Sequence, residues 1–385
     1  PEHDFAKSVD EAVEKSATLG FPVLVRPSFV LGGRAMRICY SETELKRYAQ
    51  EALDAAPRAS LLLDRFLEDA VEIDTDAVSD GETCIVAGIL QHIEQAGVHS
   101  GDSSCVLPPH RLDEAMLKQI RETTRRLAKA LKVVGLMNVQ YAISNGKLYV
   151  IEVNPRASRT VPFIAKAAGV PLAKVATKVM LGQSLKELGL TEDLEFSRRF
   201  VKAPVFPFAK FPGVDPKLSP EMKSTGEVMG IADDLGRAYY KAMLGAGTRL
   251  PTSGKALITV NDRDKPEAVK VARRLQELGF GLCATKGTAE ALRADGLAVQ
   301  VLKKLSEGRP NLNDAIKNDE IALVINTPLG KGSYSDGVEM RTAAVSHGIP
   351  IITTLSGAEA AAEAIAVEQQ QERQVASLQE IYEPK

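Results

Sequence analysis

The segment Tyr149–Phe163, YVIEVNPRASRTVPF, is a run of strand-forming residues that ends in polar chemistry. Tyr149, Val150, Ile151 and Val153 suit a sheet, whereas Glu152 and Asn154 interrupt them and Arg156 and Arg159 follow closely. Residues two apart in a strand share a face, so Glu152 and Asn154 point the same way. Their hard oxygens suit Mg²⁺ or Mn²⁺ rather than zinc. A divalent cation beside two guanidiniums is equipment for stabilising a transferring phosphoryl group. The preceding strand, NVQYAI, carries Gln140. A two-residue Asn145-Gly146 turn would pair Gln140 with Ile151 and put it on the wrong face. A three-residue loop, Ser144-Asn145-Gly146 with Gly146 left-handed, pairs Gln140 with Val150 and sets it diagonally beside Glu152. The second geometry is the expected one, giving a Gln140/Glu152/Asn154 oxygen cluster. A solvated strand face is the alternative for the hairpin taken alone.

Three further stretches agree with phosphate chemistry. Arg26 is a lone cation in the apolar strand FPVLVRPS, where a buried charge needs a partner; a structural ion pair is the other reading. The run LGGR (31–34) can close backbone amides over phosphate. LLLDRFLEDAVEI (61–73) sets Asp64 and Glu72 around a strand–turn–strand, suited to a nucleotide's exocyclic amine and ribose hydroxyls. A hairpin with surface acids is the alternative there.

These residues must be carried by a sizeable scaffold. The chain has 385 residues, enough for two or three domains. Apolar residues make up 44% and charged residues 25%, an ordinary globular balance. A net charge of −2 gives no reason to expect nucleic acid or a membrane surface as partner. No apolar run reaches the ~18 residues of a membrane span. Cys39, Cys84, Cys105 and Cys283 form no CxxC pair, which argues against structural zinc and a disulfide framework and for a reducing cytosol. No signal peptide is visible, and a chain beginning at Pro1 is expected to be a fragment of a longer polypeptide.

Helix 8–20, capped by Ser8 with Glu11 completing a capping box, opens the chain. Strand 21–28, a glycine turn at 30–36, helix 41–55 and strand 60–66 follow. Residues 71–79 and 83–94 alternate as antiparallel strands. A long amphipathic helix at 112–133, the hairpin 137–153 and a mostly helical segment 157–189 complete the first part. Residues 203–220, rich in proline, read as an ordered traverse, and 244–254 as a linker. From 255 to 367, strands and helices alternate as in a parallel sheet covered on both faces.

The stretches VLVRPSFVLGGRAM, LLLDRFLEDAVEIDTDAV, QHIEQAGVHSGDSS, MNVQYAI and IEVNPRASRTVPF together resemble the second ATP-grasp unit of the carbamoyl-phosphate synthase large subunit. The likeness continues through KFPGVDPKLSPEMKSTGEVMG (210–230) into a domain similar to methylglyoxal synthase. It implies a mixed α/β protein: an α+β ATP-grasp fold over 1–244, incomplete at its N-terminus, then a doubly wound parallel-sheet regulatory domain over 245–385. The activity it implies is phosphorylation of carbamate by ATP, within glutamine-dependent carbamoyl phosphate synthesis for pyrimidine and arginine biosynthesis. In the family pattern Gln140, Glu152 and Asn154 hold the divalent ions, and Arg156 and Arg159 line the phosphoryl-transfer site. Arg26, Arg65, Leu67, Glu72 and the run Gly97-Val98-His99-Ser100 contact the nucleotide. His92 and Ser103 help form a monovalent (K⁺) site. The implied partners are a glutaminase small subunit and the N-terminal half of the same large subunit, in an oligomer of heterodimers. A ligand-binding module without turnover, and an ATP-grasp ligase acting on another carboxylate, are the competing readings.

Methylglyoxal synthase is itself an enzyme with essential aspartates. At the matching places this chain has EGRPN (307–311) and INTP (325–328), leaving Arg309, Asn326 and Thr327 instead of carboxylates. The phosphate cradle remains: Thr285, Lys286 and Thr288 stand at a helix N-terminus, where anions bind. The resemblance therefore implies a nucleotide effector held through Lys265, Thr285, Thr288, Lys304 and Asn326, with an inert docking domain as the alternative. Family members bind ornithine through acids matched by Glu94 and Asp102 and a threonine matched by Thr353. A further expected glutamate is Ala203, so the ornithine response is expected to be weak or absent.

Overall fold

The computed structural model describes residues 1–27, 36–55, 60–68, 70–211, 213–327, 334–370 and 375–382; the expected LGGR loop lies outside them. Two compact units divide the chain, Pro1–Phe196 with Leu218–Lys223, and Ser197–Lys217 with Ser224–Lys385. Residues 197–217 and 224–244 group with the C-terminal segment in these units.

The first unit opens with β1 (His3–Ala6), α1 (Val9–Leu19), β2 (Val23–Pro27), β3 (Arg37–Cys39), α2 (Glu42–Ala55) and β4 (Leu61–Arg65). The strands make an antiparallel sheet in the order β1-β4-β2-β3, whose apolar face packs Val23, Val25, Leu61 and Leu63 against Ala12, Leu45 and Ala49. Ser8 caps α1 as expected, accepting from the Glu11 amide at 3.2 Å, but the Glu11 carboxylate takes the Lys7 amide at 2.8 Å rather than that of Ser8.

The second sheet carries the site. It is built from β5 (Val71–Asp80), β6 (Cys84–His92), β7 (Cys105–Leu107), β8 (Val134–Ser144) and β9 (Lys147–Asn154), ordered β7-β6-β5-β8-β9 within this unit. One face is apolar: Ile73, Met137, Val139 and Tyr141 pack on Ile120 and Ala128 of α3 (Glu114–Ala130). Asp113 caps that helix through the Met116 amide. The other face changes character along its length. At one end Val78 and Leu136 lie under α5 (Leu172–Met180) through Val175 and Val179. In the middle, Gly88 admits Ile164 of α4 (Thr160–Ala168), whose side-chain carbons would stand 3.0–3.1 Å from an added Cβ. Beyond it come Glu72, Asp74, Gln140 and Glu152, residues of even number on β5, β8 and β9.

In the second unit, β10 (Arg199–Val205) pairs antiparallel with β11 (Gly226–Ala232), and α6 (Leu235–Gly245) packs on both. Gly230 is required there, since a Cβ would stand 1.9 Å from the Ala238 carbonyl oxygen. The parallel sheet is β14-β13-β12-β15-β16: β12 (Lys255–Val260), β13 (Gly281–Ala284), β14 (Val299–Val301), β15 (Leu323–Thr327) and β16 (Ile351–Ile352). Its helices are α7 (Lys265–Glu277), α8 (Lys286–Ala294), α9 (Leu312–Lys317), α10 (Tyr334–Ser346) and α11 (Leu355–Gln370), with α12 (Leu378–Tyr382) beyond. The β/α alternation is the expected one. Gly236 of α6 approaches Glu363 and Val367 of α11, which explains why 224–245 belongs to this unit. All four cysteines are unpaired, and among the described residues no helix is long and apolar enough to cross a membrane.

Candidate active site

The hairpin β8–β9 departs from the expected loop. Ser144 pairs with Lys147, so the turn is the two-residue Asn145-Gly146, with φ of 50° and 72°. Two consecutive left-handed residues are what a tight hairpin with native twist needs. Such a turn alone would set Gln140 against Ile151. A β-bulge intervenes: Tyr141 pairs with Val150 but Gln140 with Glu152, leaving Ile151 as the extra residue. Gln140 and Glu152 are therefore directly opposite and on one face, and Asn138 and Asn154 form the next in-register pair. Gln140, Glu152 and Asn154 thus share one face of the sheet, by a different device from the expected loop.

Glu152 is exposed and has no hydrogen-bond or ion-pair partner among the described residues. Gln140 donates through Nε2 to Ser100 Oγ at 3.0 Å, which leaves Oε1 available. Asn154 Oδ1 accepts from Arg156 Nη2 at 3.1 Å. The donor set fits a hard divalent cation with one protein carboxylate, the arrangement Mg²⁺ uses when phosphates and water complete its shell. Arg159 is exposed, with Nη1 2.7 Å from Met222 Sδ and 2.9 Å from where a Cβ on Gly101 would lie.

The run 97–100 lies against the same face. Glu72 Oε1 accepts from the Gly97 amide at 3.3 Å. Gly97 has φ 102°, and a Cβ there would come within 2.9 Å of Ile38 Cδ1 and 3.1 Å of Phe66 Cζ, so only glycine fits. Val98 is buried, His99 donates its amide to the Ser219 carbonyl, and His99 Nδ1 accepts from the Gly101 amide.

His92 stands between two acids: Nε2 is 2.8 Å from Asp74 Oδ2 and Nδ1 is 3.3 Å from Glu72 Oε2, the latter without hydrogen-bond geometry. Burial opposes its charge, but Cys105 and the carboxylates of Asp74 and Glu72 outweigh burial and hold its pKa well above the usual histidine value. Ser103 Oγ, the other residue expected at the monovalent site, is buried with no hydrogen-bond partner among the described residues.

Other expected nucleotide contacts are spread over the smaller sheet. Arg26 Nε lies 3.0 Å from Asp64 Oδ2, so these two candidates form an ion pair, the reading left open from sequence. Arg65 is exposed and bonds Glu2, and Leu67 is half-buried. Glu94, buried, accepts from the Ser104 amide at 2.6 Å, and burial pushes its carboxyl up to about 6. Asp102 is buried and accepts from the Lys223 amide at 2.8 Å.

In the second unit, Thr285 precedes α8 and its hydroxyl lies 3.3 Å from that of Thr259, while Thr288 Oγ1 accepts from the Val260 amide at 3.2 Å. Lys265 Nζ lies 3.5 Å from where a Cβ on Gly287 would stand and 2.6 Å from Asp262, whose carboxyl is held low by the hydrogen bond from Lys265. Lys304 is exposed and also lowers Asp262 electrostatically. Asn326 donates to the Thr259 carbonyl at 3.0 Å and accepts from Arg341 Nη1 at 2.5 Å. Arg341 is wholly buried and forms a two-pronged bond with Asp215, each contact 2.6 Å. Thr353 follows β16 and is half-buried, and Ala203 in β10 is fully buried.

Sequence reasoning missed Asp74, Asp76, Arg341 and Asp215. The first two had a signal, since acids at 72, 74 and 76 alternate along one strand face. Arg341 and Asp215, 126 residues apart, had none.

Residues 2–188 match the family described as carbamoyl-phosphate synthase L chain, ATP binding domain, and residues 267–353 match the MGS-like domain. The chain is 54% identical over 384 residues to the carbamoyl phosphate synthase large chain of Archaeoglobus fulgidus, covering 100% of this chain and 36% of that one. The large chain of Rhodopirellula baltica is 52% identical, covering 99% of this chain and 36% of that one. That of Pasteurella multocida is 51% identical, covering 100% and 36%. The chain thus spans about a third of the length of these relatives.

Proposed function

The chain belongs to the carbamoyl-phosphate synthase L chain family through its ATP-binding domain, residues 2–188, and carries an MGS-like domain at 267–353; from this we propose that its first unit phosphorylates carbamate with ATP. The γ-phosphorus bond to the ADP oxygen breaks as a carbamate oxygen bonds to phosphorus, giving carbamoyl phosphate and ADP. Carbamate is already an anion, so no general base is needed. The observation that carries the reading is the in-register Gln140–Glu152 pair, with Asn154 next on β9 and two arginines following.

Gln140, Glu152 and Asn154 would hold Mg²⁺ or Mn²⁺, which when bound neutralises charge on the phosphate oxygens. Arg156 and Arg159 stabilise negative charge on the transferring group. Arg65, Leu67, Glu72 and the backbone of 97–100 orient the nucleotide; Arg26 and Asp64 act as a pair that supports the same wall. A potassium ion near Ser103 belongs to the reading, with the buried hydroxyl as one ligand.

The same reading makes residues 1–244 the synthetic segment and 245–385 the regulatory one, responding to a phosphorylated effector at Lys265, Thr285, Thr288, Lys304 and Asn326. On the family pattern Glu94 and Asp102 of the first unit, and separately Thr353 of the second, are ornithine contacts, and Ala203 makes the expected response weak. The partners are a glutaminase small subunit and the N-terminal half of a large subunit, assembled as an oligomer of heterodimers in a reducing cytosol. Formation of ATP from ADP and carbamoyl phosphate tests the central step. A chain that binds ADP yet forms no ATP would support the ligand-binding alternative.

A further inference from the structure

Asp76 is a buried carboxylate that the proposed chemistry leaves unused. It lies in β5, fully enclosed, opposite Asn138 of β8 and Gly88 of β6. Burying a carboxylate is unfavourable by several kcal/mol unless donors replace its water. Here three do. Ser158 Oγ donates to Oδ1 at 2.6 Å, Asn138 Nδ2 donates to the same oxygen at 3.2 Å, and Thr160 Oγ1 donates to Oδ2.

Two of those donors flank Arg159. Ser158 and Thr160 are its chain neighbours, their hydroxyls lie 2.7 Å apart, and the Thr160 amide donates to Ser158 Oγ at 3.1 Å. Arg159 itself opens α4 without any side-chain cap. The exposed loop from β9 to α4 is therefore fastened to the sheet by hydroxyl–carboxylate bonds on either side of the arginine, while Gly88 lets α4 approach over Ile164. Hydrogen bonds to an ionised acceptor are about twice as strong as neutral ones, so this clasp can fix a loop whose own residues are mostly exposed.

We infer that Asp76 is a positioning residue for phosphoryl transfer: through Ser158 and Thr160 it holds Arg159 where the transferring group develops charge. The inference rests on the proposed role of Arg159. Asp76 touches no substrate in this account and acts only through the loop.

Two measurements test it on this chain. The first is hydrogen exchange of amides 156–161 in the wild type, Asp76→Asn and Ser158→Ala. Exchange in this loop should accelerate strongly in both variants while β5 and β8 keep their protection. The second is ATP formation from ADP and carbamoyl phosphate. Because displacement of a catalytic group by about 1 Å can lower rate roughly a hundredfold, Asp76→Asn should lower kcat by about that factor and Ser158→Ala by about tenfold, with KM for ADP changed less than about twofold. Combining Asp76→Asn with Arg159→Ala should be no worse than Arg159→Ala alone, the non-additivity expected of residues acting through one group. Unchanged loop exchange, faster exchange with unchanged kcat, or additive losses in the double variant would each overturn the inference. If Asp76→Asn does not fold, Ser158→Ala alone decides, by the same exchange and kcat criteria. If the wild-type chain forms no ATP, the proposed function fails for this chain, and the exchange comparison decides whether the clasp exists.

Discussion

Glu152 and Glu94 are carboxylates with opposite surroundings, and they predict opposite behaviour. Glu152 is exposed and unpartnered among the described residues, so the fold does not depend on it. Glu152→Ala should leave thermal stability within about 0.5 kcal/mol, yet lower carbamoyl phosphate chemistry by at least about a hundredfold, because it removes charge where phosphoryl charge develops. In a complete enzyme, bicarbonate-dependent ATP cleavage by the other half should persist; equal loss of both activities would count against a confined role. Glu94 is buried, and burial raises its carboxyl to about 6. The folded state therefore binds its proton more tightly than the unfolded chain does, so this residue's contribution to stability falls as pH rises from about 4.5 to about 6 and is level above. Glu94→Gln removes that dependence. Relative to wild type, the variant should gain on the order of 1–2 kcal/mol between pH 4 and pH 7, read from unfolding midpoints at the two values. A constant difference would mean that Glu94 titrates normally.

At the scale of elements, the site depends on one bulge and one close approach. The Asn145-Gly146 turn is short, and the bulge at Ile151 restores the face that such a turn would have lost. The amphipathic length of α3 and the alternation in β5 were legible because they are local properties of the chain. The bulge was not: β8 also pairs with β5, from Val71↔Ile143 to Asp80↔Val134, and its register answers to both neighbours. The run 97–100 depends on Gly97, wedged between Ile38 and Phe66 at φ 102°. Gly97→Ala should push that run off Glu72 and weaken ADP binding by roughly tenfold, the equivalent of about 1.4 kcal/mol, while the isolated hairpin geometry is untouched. Calorimetric titration with ADP measures it; an unchanged affinity would detach this run from the nucleotide.

At the scale of the whole molecule, the proposed function pairs a synthetic unit with a regulatory one that would hold phosphate but not act as a lyase. Thr285, Lys286 and Thr288 at the start of α8 can satisfy phosphate oxygens with help from the helix dipole, but Asn326 is committed to Thr259 and Arg341 and offers no base. Titration of the chain with uridine and inosine monophosphates should show binding, weakened by Lys304→Ala, with no methylglyoxal formed from dihydroxyacetone phosphate. Lyase activity would overturn the sensor reading, and failure to bind either nucleotide would favour an inert docking domain. Ornithine activation should be weak, since each missing charge-assisted bond forfeits about 1.5–3 kcal/mol and Ala203 supplies none; strong activation at micromolar ornithine would show another acid in its place.

The sequence by itself determined the alternation of strands and helices and the placing of Glu152, Asn154, Arg156 and Arg159 at one strand end; the ATP-grasp architecture and the missing lyase acids were what the family resemblance implied. The former follow from period and side-chain chemistry, carried by neighbours in the chain. Only the tertiary structure decided how Gln140 meets Glu152, that Arg26 pairs with Asp64, that His92 stands between Glu72 and Asp74, and that Asp76 grips both sides of Arg159. The same holds for Arg341, whose partners Asp215 and Asn326 come from separate elements. Each of these joins residues from different strands, loops or helices. Their free energies arise from register, burial and desolvation, which no stretch of chain possesses until the others have packed around it.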